Sequence, residues 1–242
     1  MRKIIFLIPF YNEEENLIKL AELIHQSSVR NIFEYKLIFL NDCSNDNSFQ
    51  IISDYVKNKK LKNLIIYENE KNLGHGKSVL KLFNLANKFL ENSTDIVTMD
   101  SDMKISYDDF NQIFAYKNSV ICKRKRFEEG IFRAFITLTA EVLVFIKTGK
   151  FWRDANCPFR LYKIEDFKLI SSIILKDLLT PNIVSTIIFI KYNIAYSRKI
   201  INLNYEIKNS GVTWQGKNPI SKYLKILGFS YKSSIEVLTL KM

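Results

Sequence analysis

The amino-acid sequence predicts an α/β domain with a mostly parallel central sheet flanked by helices. Four apolar runs typical of buried strands recur at intervals of 32, 27 and 32 residues, and they end near Ile8, Leu40, Tyr67 and Met99. The stretches between them, such as residues 17–24 and 79–85, place apolar residues at helical spacing. Strands that alternate with helices at this interval indicate βαβ units. A length of 242 residues, with 47% hydrophobic and 25% charged residues, suits one such domain.

The later elements are predicted in the same way. Ser106 and Asp109 match a capping box, which predicts the start of a helix. The apolar residues 119–122 predict a fifth strand, and residues 134–146 are apolar on almost every face. The second pattern predicts either a buried helix or a helix at a membrane surface. Because no linker or repeat is visible, we expect one domain over residues 1–242. We divide it into two halves, residues 1–104 and 105–225, and a C-terminal helix or tail, residues 226–242.

The net charge of +11, from 36 basic and 25 acidic residues, is compatible with an anionic partner. Most lysines are expected to be solvated, because the chain is rich in Lys, Asn and Ile throughout. The basic run at residues 123–126 is different, since it precedes the apolar residues 134–146 and the pair suits an anionic membrane surface. A nucleic-acid-binding domain is disfavoured, because it would gather basic and aromatic residues where the strand ends here carry acids.

The cysteines and the apolar runs predict the compartment. Cys43, Cys122 and Cys157 form no CxxC pair, which disfavours a disulfide framework and a zinc site and suits a reducing cytosol. The apolar stretch that follows Met1 is short, so no secretory leader is expected. No run reaches the roughly 18 apolar residues of a membrane span. We therefore expect a cytoplasmic protein whose membrane contact, if any, is peripheral.

Function is expected in the four loops that follow the first four strands, because open parallel sheets bind ligands beyond the carboxyl ends of their strands. These loops are residues 9–13, 41–46, 69–76 and 100–102. In the last of them, the carboxylates of Asp100 and Asp102 can hold a hard divalent cation, Mg²⁺ or Mn²⁺. Such a cation stabilises the charge that develops on a departing diphosphate. A D-x-D pattern alone recurs by chance, so the other loops decide its weight.

The first three loops argue against two common nucleotide-binding folds. The loop after the first strand lacks the GxGxxG of dehydrogenases. Gly74 and Gly76 are too close together for a P-loop and predict a tight turn that lets a ligand approach the backbone. Asp42 can accept a hydrogen bond from a base N–H or close an Asx-turn. His25 and His75 lack metal-site partners at suitable spacing and are expected at the surface.

Together, the four loops resemble the inverting glycosyltransferases of family 2. That family typically reads P-x-Y-N-E, [DN]-D-x-S-x-D, N-x-G-x-G and D-x-D, in this order and at about these intervals. Residues 154–161 look like its D-x-x-[SC]-[GP]-F-R-L segment. Residues 205–213 are similar to the [HY]-x-x-R-x-x-G-x-S signature of the dolichol-phosphate mannosyltransferase-like branch, with Lys208 in place of the arginine. The likeness covers residues 3–225 and implies a GT-A type nucleotide-diphospho-sugar transferase fold.

The resemblance implies roles for the loops. Residues 1–104 would bind the nucleotide sugar, and residues 105–225 would face the acceptor. Asp100 and Asp102 would hold a UDP- or GDP-linked donor through Mg²⁺ or Mn²⁺. The other substrate-binding residues that it implies are Pro9, Tyr11, Glu13, Asp42, Asn72, Gly74, Gly76, Arg124 and Lys208. The cations expected to balance the charge of the leaving group are Arg124, Arg160 and Lys208. A lysine cannot make arginine's bidentate contact with a phosphate.

The acceptor is the less determined part of the prediction. Transfer to a sugar hydroxyl needs a general base, and no clear equivalent of the family's acidic E-D motif follows the D-x-D segment. An acceptor that is already an anion needs no base, which favours a polyprenyl phosphate such as undecaprenyl or dolichyl phosphate. The alternative is a hydroxyl of a growing cell-surface polysaccharide or lipopolysaccharide, with Asp154 as the base. Cys157 and Pro158, in place of the common Ser-Gly, leave the acceptor open.

Overall fold

A computed structural model describes residues 1–90, 94–125, 130–174, 177–203 and 219–240, with the backbone alone for residues 130–135, 219–224 and 226. The strands are β1 (Arg2–Phe10), β2 (Phe33–Asn41), β3 (Leu64–Glu68), β4 (Thr94–Thr98), β5 (Ser119–Lys125), β6 (Arg160–Tyr162) and β7 (Tyr196–Asn202). The helices are α1 (Leu17–Arg30), α2 (Ser48–Lys59), α3 (His75–Ala86), α4 (Tyr107–Gln112), α5 (Gly130–Thr148), α6 (Ile164–Ile173), α7 (Pro181–Lys191) and α8 (Pro219–Thr239). Single 3₁₀ turns follow α3 at Asn87–Phe89 and α4 at Ile113–Ala115.

The seven strands form one sheet in the order β3-β2-β1-β4-β6-β5-β7. Every neighbouring pair is parallel except those that β6 makes with β4 and with β5. The register pairs Phe10 with Asn41 and Asn41 with Glu68, so the carboxyl ends of β1, β2 and β3 meet at one edge. The predicted mostly parallel sheet is confirmed, while β7 was not predicted and the division into halves at residue 104 stays a prediction.

Helices cover both faces of the sheet, because successive side chains of a strand point to opposite faces. Ile5 and Leu7 of β1 belong to a core that includes side chains of α3, α5, α6, α7 and α8. Phe6 and Ile8, which alternate with them, belong to a second core formed with α1, α2 and α4. This arrangement explains why the strand sequences are continuously apolar, and it leaves the strand ends as the place for polar residues.

The capping box is confirmed at the start of α4. Ser106 is the N-cap of that helix, and its Oγ accepts a hydrogen bond from the backbone N–H of Asp109 at 3.2 Å. The Asp109 carboxylate in turn accepts hydrogen bonds from Ser106 Oγ and from the backbone N–H of Asn202. The cap therefore also ties α4 to the end of β7.

The predicted apolar helix is α5, and only one of its faces is buried. Ala140, Leu143 and Val144 pack into the core, whereas the opposite face exposes Leu138, Val142, Phe145 and Ile146. The neighbouring α8 packs against α5 and exposes a second apolar row, Leu227, Tyr231, Ile235 and Leu238. We call these two rows the α5–α8 face. Within the described part of the chain, no helix is both long and apolar enough to cross a membrane.

Candidate functional site

The Asp100 and Asp102 carboxylates lie directly beyond β4, after the buried Thr98 and Met99. The buried Oδ1 of Asp100 accepts no hydrogen bond from the described residues, and His75 Nε2 lies 3.5 Å from it. On Asp102, Oδ2 lies 3.4 Å from Lys104 Nζ, and Oδ1 accepts a hydrogen bond of 3.4 Å from the backbone N–H of Lys104. The pair thus presents carboxylate oxygens that the protein itself leaves largely unsaturated.

Burial and the neighbouring charge of Asp100 raise the pKa of the Asp102 carboxyl, although Lys104 acts in the opposite direction. A divalent cation between two such carboxylates would replace their repulsion by attraction, so the donor set fits Mg²⁺ or Mn²⁺. Among the residues that the structure describes, no third His, Cys, Asp or Glu completes a cluster of metal ligands.

Asp42 follows β2 and holds the loop that precedes α3. Its buried carboxylate accepts hydrogen bonds of 2.8 Å from the backbone N–H groups of Leu73 and Gly74 and from Asn69 Nδ2. The Asn69 amide also bonds to Ser78 Oγ, at 3.0 Å. The contact of Asp42 with a nucleoside stays a prediction, and the structure adds that both its oxygens already fix the third loop against the second.

The loop after β1 is joined to the loop after β2. Asn12, with a φ of 55°, donates its backbone N–H to Ser44 Oγ and accepts from the backbone N–H of Asn45. Asn45 Nδ2 donates to the Tyr11 hydroxyl at 2.9 Å. The Glu13 carboxylate is buried and accepts a hydrogen bond from Asn16 Nδ2 at the start of α1. Tyr11 therefore lies at the open edge, whereas Glu13 faces inward.

The two glycines of the third loop are required for different reasons. Gly74 precedes α3 with a φ of 85°, a conformation that residues with a Cβ rarely adopt. Gly76 has an ordinary φ, but a Cβ there would lie 2.2 Å from the carbonyl oxygen of Leu179. The predicted reason for Gly76, close approach of a ligand, differs from the one observed, which is close approach of the segment before α7. Asn72 is exposed on this loop.

Arg124, which is partly buried, forms an ion pair with the buried Asp154 between the end of β5 and the turn that precedes β6. The Asp154 carboxylate accepts hydrogen bonds of 2.9, 2.9 and 2.8 Å from the backbone N–H, Nε and Nη2 of Arg124. Burial alone would lower the pKa of the Arg124 guanidinium. The nearby carboxylate of Asp154 has the opposite effect through its charge and its hydrogen bonds, and the pKa is raised overall. The role of Asp154 as a base stays a prediction, and it would require this carboxylate to take up a proton while paired with an arginine.

Asp154 is held in place from a second side. Its φ of 56° lies in the left-handed region, and its backbone N–H donates to Glu141 Oε1 of α5 at 3.1 Å. A residue other than glycine keeps such a backbone conformation only when its surroundings fix it. Glu141 was not among the predicted site residues, because nothing in a helical sequence shows which buried turn a carboxylate will reach.

Arg160 lies beneath the site. Its side chain is fully buried, and it donates hydrogen bonds to the carbonyl oxygens of Cys157 and Ala155 and to Thr186 Oγ1. These contacts hold the turn that carries Asp154. The predicted contact of Arg160 with the leaving group stays a prediction, and the structure places the guanidinium against backbone carbonyls. Lys208 lies outside the described residues.

A small pocket opens beside Asp100, between β1, β4 and the first residues of α3 and α7. Its polar lining consists of His75, Thr98, Asp100 and Asn182, and its apolar walls are Leu7, Pro9, Val79, Leu82, Met99 and Pro158. The position of Pro9 agrees with its predicted place in the site. His75 is exposed as expected, yet it faces Asp100. Asn182 was missed, because only the folded chain brings α7 next to the D-x-D loop.

Comparison with known proteins adds a family and several relatives. Residues 5–168 match the family described as "Glycosyl transferase family 2". The undecaprenyl-phosphate 4-deoxy-4-formamido-L-arabinose transferase of Proteus mirabilis is 26% identical over 167 residues, which is 67% of this chain and 49% of that protein. This chain therefore spans about half the length of that relative.

Two solved structures share the fold. S. aureus TarS in complex with UDP-GlcNAc has a TM-score of 0.55 and 19% identity, covering 100% of this chain and 68% of TarS. The mannosyltransferase PcManGT from Pyrobaculum calidifontis, in complex with GDP-Man and Mn²⁺, has a TM-score of 0.55 and 13% identity, covering 98% of this chain and 74% of that one. At these identities the likeness concerns the fold alone.

We predict that Gly76→Ala destabilises the protein. The added Cβ would meet the backbone of Leu179, so the free energy of unfolding should fall by about 1–3 kcal/mol. Gly228→Ala in α8 is the matched control, because open space surrounds that position and alanine favours a helix by about 0.5–1 kcal/mol. Urea unfolding measures both variants, and equal stability of Gly76→Ala and the unaltered chain would contradict the packing argument.

We also predict a pH-dependent effect of Asp102→Asn in the presence of a chelator. Because the folded-state pKa of Asp102 is raised, the folded chain binds that proton more tightly, and stability falls as the pH rises above about 4. The variant lacks this loss, so its free energy of unfolding should improve relative to the unaltered chain between pH 4 and 7.

Asp108→Asn is the control for this pH series. Asp108 is exposed in the first turn of α4, where a negative charge is favourable. Removing that charge should therefore not give the gain in stability that we expect for Asp102→Asn. Chemical denaturation at each pH gives the comparison, and a relative loss of stability in Asp102→Asn as the pH rises would refute the assignment of repulsion at this pair.

Proposed function

Since the chain belongs to glycosyl transferase family 2, we propose that it transfers a sugar from a nucleoside-diphosphate donor to a polyprenyl phosphate. The predicted family and the GT-A fold are confirmed, and the sugar-transferring activity is part of the proposal. So are the nature of the donor and that of the acceptor. Both rest on the arrangement of charged groups beyond β4 and β5.

The donor assignment rests on the Asp100 and Asp102 pair. Their unsaturated oxygens suit a divalent cation that bridges to a diphosphate. The bound cation would supply electrostatic stabilisation of the nucleoside diphosphate as it leaves. UDP-linked and GDP-linked sugars are both candidates, because TarS is solved with UDP-GlcNAc and PcManGT with GDP-Man and Mn²⁺.

The acceptor assignment rests on one observation: the Asp154 carboxylate is already paired with Arg124. The predicted base for a hydroxyl acceptor accepts two hydrogen bonds from the Arg124 guanidinium and one from the Arg124 backbone N–H. Removing a proton from a hydroxyl would therefore disrupt a partly buried ion pair. An acceptor phosphate is already ionised and needs no such step. The named activity of the P. mirabilis relative, transfer to undecaprenyl phosphate, supports the same acceptor class.

The proposed reaction is a single displacement at the anomeric carbon. An oxygen of the acceptor phosphate forms a bond to that carbon, and the bond from the carbon to the diphosphate oxygen breaks. The nucleoside diphosphate leaves with the electron pair, and the configuration inverts. Asp100 and Asp102 would hold the cation, and Tyr11 would contact the nucleoside at the open edge. Arg124 adds positive charge near Asp100. Lys208 is the further cation implied by the family likeness.

A labelled-donor assay tests this function. The protein is incubated with undecaprenyl phosphate or dolichyl phosphate in detergent, with Mn²⁺, and with radiolabelled UDP-glucose, UDP-GlcNAc or GDP-mannose. We expect one donor to give label in an organic extract, and Asp102→Ala or a chelator to reduce it at least a hundredfold. Asp108→Ala is the matched control and should keep the rate. Label found instead in a water-soluble glycan would favour the hydroxyl acceptor.

The α5–α8 face supports peripheral contact with an anionic membrane. Its exposed side chains include Ile146 at 59% and Tyr231 at 69% exposure, and Phe145 stacks on the exposed Phe151 with ring centroids 4.5 Å apart. In the part of the chain that the structure describes, four exposed basic residues neighbour these rows in sequence: Lys150, Arg153, Lys225 and Lys232. Apolar rows flanked by basic residues fit the boundary between acyl chains and anionic headgroups. A lipid acceptor would be reached from such a surface.

Vesicle flotation tests the membrane contact. We expect binding to vesicles that contain phosphatidylglycerol, weaker binding to phosphatidylcholine alone, and loss of binding at high salt. Ile146→Asp and Tyr231→Asp should each reduce binding at least fivefold without changing Tm. Val29→Asp is the control, because Val29 is 69% exposed on α1, outside the α5–α8 face. Equal binding of all four proteins would exclude this face as the contact.

A further inference from the structure

Asn182 lines the pocket beside Asp100 and is not among the predicted site residues. It lies in the first turn of α7, only 3% exposed, and its side chain lines the pocket together with His75 and Asp100. Its position is outside residues 5–168, which match the family. Its function therefore has to be argued from the structure of the pocket.

The side-chain amide of Asn182 forms no hydrogen bond with any residue in the described part of the chain. The neighbouring polar side chains of α7 have partners. Ser185 Oγ donates to the carbonyl of Pro181, and Thr186 Oγ1 lies 3.0 Å from the carbonyl oxygens of Asn182 and Ala155, either of which can accept its proton. The amide atoms of Asn182 are not among the fully buried side-chain atoms that lack a partner, so they keep access to the open space of the pocket although the residue as a whole is only 3% exposed. An amide that faces a pocket without a protein partner is therefore available to a ligand.

The rest of the lining indicates what that ligand group is. A side-chain amide can both donate a hydrogen bond to a hydroxyl group and accept one from it. Hydroxyl groups are the polar groups by which one sugar differs from another. The pocket is small and mostly apolar, so it suits one hydroxyl or hydroxymethyl group with the ring carbons against Pro9 and Pro158. The carboxylate of Asp100 borders it, which places it next to the proposed diphosphate.

We propose that Asn182 determines donor specificity by hydrogen-bonding a hydroxyl group of the sugar that is transferred. This inference rests on the proposed function, since it requires a sugar nucleotide held at Asp100 and Asp102. An amide has no proton-accepting role at neutral pH, so Asn182 orients the sugar and does not act as a base. A site built around such a hydrogen bond rejects ligands that lack the matching hydroxyl.

Calorimetry with two kinds of ligand tests the proposal. The affinities of UDP and GDP are compared with those of UDP-glucose, UDP-GlcNAc and GDP-mannose, all with Mn²⁺. In Asn182→Ala we expect the bare nucleotides to bind within twofold of the unaltered chain. The sugar nucleotide that the unaltered chain prefers should bind about tenfold more weakly. Asn182→Asp, which keeps the shape but replaces the amide donor beside Asp100, should show the same loss.

Stability measurements separate this role from a structural one. Because the Asn182 amide bonds to no described residue, Asn182→Ala should leave Tm unchanged or raise it. Ser185→Ala, on the same helix and also buried, is the matched control. It should not alter the affinity for a sugar nucleotide relative to that for the corresponding bare nucleotide, with either UDP or GDP. Suppose that sugar nucleotides bind, and that their affinity relative to the bare nucleotide is the same in Asn182→Ala as in the unaltered chain. The role of Asn182 is then refuted, while the proposed function stands. If the unaltered chain binds none of the five ligands, the proposed function fails as well.

Discussion

Parallel pairing of β1 with both β2 and β4 is the constraint on which the site depends. It brings the carboxyl ends of three strands to one edge, so that loops distant in sequence become neighbours. Asp42 then fixes two of these loops to each other through the backbone N–H groups of Leu73 and Gly74. The D-x-D carboxylates follow β4 at the same edge. Without this register, the four polar loops would be separate turns with no shared ligand.

The antiparallel strand β6 completes the arrangement from the other side. It inserts between β4 and β5, and a hydrogen bond from Thr98 Oγ1 to the carbonyl of Pro158 joins its leading turn to β4. Arg160 supports that turn by donating a hydrogen bond to the carbonyl of Ala155. Asp154, which lies in the turn, forms an ion pair with Arg124 at the end of β5. Arg124 and Arg160 were both predicted to balance the charge of the leaving group, but they have different surroundings. Arg160 lies beneath the turn, and Arg124 is paired with a carboxylate.

Much of the fold and part of the site could be predicted from the sequence, for identifiable reasons. Continuous apolar runs and polar loops reflect burial on both faces of a parallel sheet, and so β1 to β4 and the D-x-D loop were predicted. Contacts between remote segments leave no such pattern. The pairing of Asp154 with Arg124 and the position of Asn182 depend on where the turn before β6 and the start of α7 lie in space. The C-terminal strand β7, with only one of its seven residues buried, gave too weak an apolar pattern to be predicted.

The contact between Gly76 and Leu179 has a consequence for exchanging parts between relatives. Gly76 belongs to the segment that matches the family, whereas Leu179 lies beyond it. The backbone of one region occupies the space that a side chain of the other would fill. A chimera that joins the segment containing Gly76 to another protein's C-terminal helices must therefore preserve both the glycine and the path of the main chain before α7. The two regions are interchangeable only as a matched pair.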